Sequence, residues 1–99
     1  MLISWVGVSQ LHKKLFRITD QLHELAEEEK AVLQELEMHR SIDEDAQRDA
    51  ALGNYIDREE AGLTSADVRR FEKSLRSIRH RRSKLDALRL RLLEKMERR

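Results

Sequence analysis

Four histidines and nineteen carboxylates are the side chains of this 99-residue chain with the chemistry to bind a metal or move a proton. His12, His23, His39 and His80 never stand three or four apart, so no helical face offers two imidazoles to one ion. Asp20-x-x-His23 comes nearest to the carboxylate and histidine spacing of a di-iron bundle, and it occurs once. A ferritin-like centre needs two Glu-x-x-His pairs and two further Glu facing inward. There is no Cys, which rules out zinc thiolates, disulfides and thiol nucleophiles. No Gly-x-Ser-x-Gly turn and no glycine-rich phosphate loop is present. The sequence therefore predicts no enzyme, no catalytic or metal-binding residue and no cofactor, with the histidines on the surface.

Charge is the other source of chemistry. Arg76-Ser77-Ile78-Arg79-His80-Arg81-Arg82-Ser83-Lys84 is a dense cationic run. With Val68 at position a of a heptad, Arg69, Arg70, Arg76, Lys84, Arg91 and Arg98 fall at b and c, one stripe facing away from the seam. Such a stripe can follow nucleic-acid phosphates and supply salt-dependent affinity without reading bases. No aromatic residue follows Phe71 to stack on a base. The same stripe fits a solvated face, a counterweight to acidic residues of the chain itself, or a site for an acidic protein. Nucleic-acid binding is thus the alternative reading, not the leading one.

The elements that carry these residues are helices. The chain has no Pro, three Gly and four aromatic residues, and 39% of it is charged. This composition, rich in Leu, Ala, Arg and Glu, is that of long helices or a coiled coil. Nothing alternates with period two over the length of a strand. Val8, Leu11, Leu15, Ile18, Leu22, Leu25, Glu29, Val32 and Leu36 recur at alternating spacings of three and four, the a and d positions of a seam. Around Arg40–Glu44 the heptad loses phase, and Ser41-x-x-Glu44 matches a capping box. Val68, Phe71, Leu75, Ile78, Arg82, Leu85, Arg89, Leu92 and Met96 form a second seam.

Between the seams, the local signals place the turn at 61–64. Gly62 suits a C′ position, Thr64 an N-cap and Asp67 the N3 position of a capping box, while Leu63 and Val68 have the spacing of a hydrophobic staple. Gly53-Asn54 reads as a local weakening inside a helix. The expected fold is a single all-α domain: an apolar segment 1–7, a long helix 8–40, a continuation or short second helix 41–60, the turn, and a basic helix 65–98. That is a long antiparallel helical hairpin or coiled coil, with an elongated three-helix bundle having a short middle helix as the alternative.

Residues 20–60 hold 14 acids and 4 bases, and residues 64–99 hold 13 bases and 5 acids, a bias that favours antiparallel pairing over parallel. A turn at 61–64 leaves unequal arms, so part of the first seam is left without a partner in its own chain. Self-association, as a homodimer above all, then follows from the surplus leucines. Trp5, Val8, Leu11, Leu15, Ile18, Leu22, Leu33, Leu88 and Leu93 are the residues expected at that interface, against a second copy or a helical protein partner. No apolar run approaches the ~20 residues of a membrane span, and the apolar start lacks the basic region of a signal peptide. A cytoplasmic adaptor, assembly factor or escort is the expectation.

Overall fold

The computed structural model describes residues 2–53 and 55–98, apart from the side chains of residues 2–6 and 8. Two helices account for all of them but Gly53 and Arg98: α1 spans Leu2–Leu52 and α2 spans Tyr55–Glu97. The chain is all-α. Within Glu28–Ile78, one of two compact units into which it divides, the helices form an antiparallel hairpin: partners run from Arg40 with Glu72, through His39 with Phe71, to Gln47 with Ala61. The second unit comprises Met1–Glu27 and Arg79–Arg99.

The turn is not at 61–64. It lies between Leu52 and Tyr55, and α2 runs through Gly62, Thr64 and Asp67 without interruption. Each local signal at 62–68 is satisfied in another way. Gly62 lacks the positive φ of a C′ glycine, and a Cβ there would meet open space. The Thr64 hydroxyl reaches the carbonyl of Ala61 at 3.1 Å and a carboxylate of α1 at 2.8 Å. Asp67 pairs with Arg70 at 3.1 Å. Leu63 is 65% exposed while Val68 is buried, so the staple is not made. The glycine that matters is Gly53, where a Cβ would come within 2.6 Å of the Asp49 carbonyl oxygen and run into the Asp57 carboxylate. Only a residue with no Cβ passes so close to the preceding helical turn.

The Ser41-x-x-Glu44 box starts no helix either, because α1 is continuous across it and no short middle helix forms. Nor does the heptad lose phase there. After Leu36 the half-buried positions are His39, Asp43, Ala46 and Ala50, still three and four apart. On α2 the phase runs back from Val68 through Thr64, Ala61 and Asp57, all half-buried or buried. What changes is the residue type: near the turn the inward positions are small or polar.

With the turn between Leu52 and Tyr55 the helices are 51 and 43 residues long, and the surplus seam expected on the first helix shrinks. In the turn-bearing unit, Leu36, Val68 and Leu75 form a buried cluster with Val32 and Phe71 packed against it. Leu36 is 1% exposed. The other unit buries Ile18, Leu25 and Leu92, with Leu11, Leu15, Leu22 and Leu85 half-buried beside them. Each leucine so removed from water contributes about 1.5–3 kcal/mol.

Candidate functional site

The polar stretch of the seam holds a cluster of four side chains. Asp43 Oδ1 accepts from the Thr64 hydroxyl at 2.8 Å, the Ser65 hydroxyl at 3.0 Å and Gln47 Nε2 at 3.0 Å. Gln47 Nε2 also lies 2.8 Å from Ser65 Oγ and 3.0 Å from the Ala61 carbonyl oxygen. The amide has two hydrogens for three acceptors, so the network shares protons instead of giving each contact its own. These hydrogen bonds, Gln47 first and then Thr64 and Ser65, hold the Asp43 carboxyl below its usual range; partial burial opposes them and the nearby Arg69 charge assists. Ala46, Ala50 and Ala61 are small enough to let a side chain of α1 touch the backbone of α2.

One layer further along, His39 stacks on Phe71 with ring centroids 4.7 Å apart and planes inclined at 26°. Glu35 lies 3.7 Å from its imidazole, and the Arg70 guanidinium sits 5.6 Å from the Phe71 ring centroid. His39 is therefore a seam residue, not a surface one, whereas His12, His23 and His80 are exposed. Among the described residues no group of three or more His, Asp or Glu is placed to hold a metal ion, and no helix is long and apolar enough to cross a membrane.

The two flanks of the turn-bearing unit differ. In a heptad with seam positions a and d, the flanking positions are e and g. Gln47 with Ser65, and Arg40 with Glu72 at 4.0 Å, are both e-to-e pairs. An antiparallel pair that matches e with e on one side must bring g to g on the other. The e flank is thus closed by hydrogen bonds and an ion pair, beside a surface depression of ≈ 480 Å³ lined by Leu33, Glu37, Arg40, Ser41 and Glu44. The g flank, with its neighbouring c positions, carries Met38, Ile42 and Leu52 from α1 and Ile56 and Leu63 from α2. They are 50%, 46%, 92%, 68% and 65% exposed. Glu35, Asp45, Asp49, Glu60 and Asp67 are interleaved with them, and the one base at these positions, Arg70, is held by Asp67.

The other unit has the opposite charge. It carries 12 basic and 6 acidic residues, a net +6, against −5 for the turn-bearing unit. Its c and g positions hold Lys14, Arg17, Lys84, Arg91, Lys95 and Arg98, all exposed, with Leu88 at 40% exposure among them.

Of the residues singled out from sequence, Trp5 and Val8 have side chains outside the described residues. Ile18 is buried within its own unit, and Leu11, Leu15, Leu22 and Leu93 are half-buried. Leu33 and Leu88 are exposed. Arg69, Arg70, Arg76, Lys84, Arg91 and Arg98 are all exposed, the first three in the turn-bearing unit and the last three in the other. Gly62, Thr64 and Asp67 lie inside α2. The sequence reading did not place Met38, Ile42, Leu52, Ile56 or Leu63 on an exposed flank. Carrying the heptad through His39, Asp43, Ala46 and Ala50 would have put them outside the seam. No family model, no curated protein and no solved structure matches this chain.

Proposed function

We propose that this protein is a non-enzymatic coiled-coil interaction protein, an adaptor, assembly factor or escort, and that it self-associates. One observation carries the reading. The inward positions of the turn-bearing unit are occupied from within the chain, yet five large apolar residues stay exposed along one flank. Isolated exposed leucines need no explanation. A row of five on a single side, next to a flank that is closed by hydrogen bonds, is the pattern of a surface that meets another protein.

The measurement is solution mass, by size exclusion with light scattering over a range of protein concentrations. A mass above one chain supports self-association; a strictly monomeric, helical protein removes it and leaves only an unlike partner. The alternative function, nucleic-acid binding through Arg69, Arg70, Arg76, Lys84, Arg91 and Arg98, draws support from the exposure of all six. It requires log affinity for an oligonucleotide to fall with log salt at a slope near −0.9 per phosphate contacted on a duplex. Lack of binding to duplex or single strands at ~50 mM salt excludes it.

A further inference from the structure

The acidic, apolar flank of the turn-bearing unit and the basic flank of the other unit are complementary, and we propose that a second copy of this chain supplies the partner: the flank of Met38, Ile42, Leu52, Ile56 and Leu63 in one molecule receives the flank of Lys84, Leu88, Arg91 and Arg98 in another. The inference rests on the self-association reading and names the surfaces that perform it.

Two observations converge on it. The first is apolar: Leu52, Ile56 and Leu63 are each at least 65% exposed, and a second helical surface is the simplest way to remove such a row from water. The second is charge. The apolar row is interleaved with Glu35, Asp45, Asp49 and Glu60, whereas the c and g positions of the other unit carry Lys14, Arg17, Lys84, Arg91, Lys95 and Arg98 around Leu88. Opposite potentials steer association, and like flanks repel, so acid-to-acid pairing of two turn-bearing units is disfavoured.

The contact joins two different patches, so two copies that exchange both patches close as a pair, while others propagate. Either way it has a test that a non-specific association fails. One variant reverses the acidic flank (Asp45→Lys, Asp49→Lys, Glu60→Lys). A second reverses the basic flank (Lys84→Glu, Arg91→Glu, Arg98→Glu). All six residues are exposed and off the seam, and unchanged helicity by circular dichroism confirms that each variant folds. Each variant alone then faces like charge with like, and its self-association is weaker than that of the wild type by about a hundredfold. Mixed in equal amounts, the two variants are complementary again, and the mass of the mixture returns to the wild-type value. An independent pair, Leu52→Ser with Ile56→Ser, weakens association without changing charge.

A wild type that self-associates while both reversal variants do so equally well overturns the proposed surfaces and leaves the self-association reading standing. A wild type that stays monomeric overturns both. A monomer whose binding to a duplex oligonucleotide is lost in the Lys84, Arg91 and Arg98 variant replaces the proposal with a nucleic-acid surface.

Discussion

Within the turn-bearing unit, the seam between α1 and α2 has two halves that share one heptad phase and differ in chemistry. Around Leu36, Phe71 and Leu75 the inward positions are large and apolar, and Leu36 is the most completely buried side chain of the cluster. From Asp43 to the turn they are small or polar, and Asp43, Gln47, Thr64 and Ser65 bond across the helices. The apolar half supplies free energy and is tolerant of sliding, because one leucine layer resembles the next. The polar half supplies little net energy, since each bond replaces one to water. It is intolerant of sliding: a shift of one heptad separates the Asp43 carboxylate from both hydroxyls. Adhesion and alignment are thus divided between two adjacent stretches of the same interface.

The largest effect that sharpens this comparison comes from the apolar half. Leu36→Ala leaves a cavity beside Val68 and Leu75 and is expected to cost about 2–5 kcal/mol, read as a lower midpoint in urea. Thr64→Val, at a half-buried position of the polar half, is expected to cost less. A Thr64→Val loss as large as that of Leu36→Ala would show that the polar half is a second energetic core and that the two halves do not differ in kind.

The two glycines of α2 and its entry give the next effect, and it has opposite signs. Gly53→Ala drives a methyl group against the Asp49 carbonyl and the Asp57 side chain and is expected to destabilise by about 1–3 kcal/mol. Gly62→Ala adds a methyl group in open space inside a helix and is expected to stabilise by about 0.5–1 kcal/mol. Thermal melts of the two variants decide it. A destabilising Gly62→Ala would return the turn to 61–64.

The same pair explains what was legible in the sequence. The spacing of Leu11, Leu15, Ile18, Leu22, Leu25, Val32 and Leu36, and of Val68, Leu75, Ile78 and Leu92, identifies the inward faces, because burial of large apolar groups decides which side of a helix turns in. The turn was not legible from local chemistry. Thr64 and Asp67 have the side chains that cap a helix, but the same hydroxyl and carboxylate groups bond equally well to a neighbouring helix. Asp43, which accepts the Thr64 hydrogen bond, is 21 residues away and invisible to a ten-residue window. The legible signal is global: a turn between Leu52 and Tyr55 keeps both heptads in phase up to Ala50 and from Asp57, and makes the two helices more nearly equal. The same displacement of the turn bears on the expected interface: Leu11, Leu15, Ile18 and Leu22 count as surplus seam only with a turn at 61–64, and in the structure Ile18 is buried and the three leucines are half-buried.

The smallest expected effect is acid sensitivity confined to the polar half. Asp43 has its pKa lowered in the folded protein by the donors that surround it, Gln47 and Thr64 foremost. A depressed carboxylate stabilises the fold above its unfolded value, and the contribution disappears as the pH falls through the folded one. The stability of the wild type is therefore expected to fall below pH 3.8, the ordinary value for this group, by more than that of Asp43→Asn, which has no charge to lose. At pH 7 the Asn variant is less stable, because Thr64, Ser65 and Gln47 then donate to a neutral amide. The two curves of melting temperature against pH should converge at the acid end. Curves that run parallel from pH 7 to pH 2 would mean that the charge of Asp43 does not matter to the network, and that the hydroxyls align the helices through shape and the Ala61 carbonyl alone.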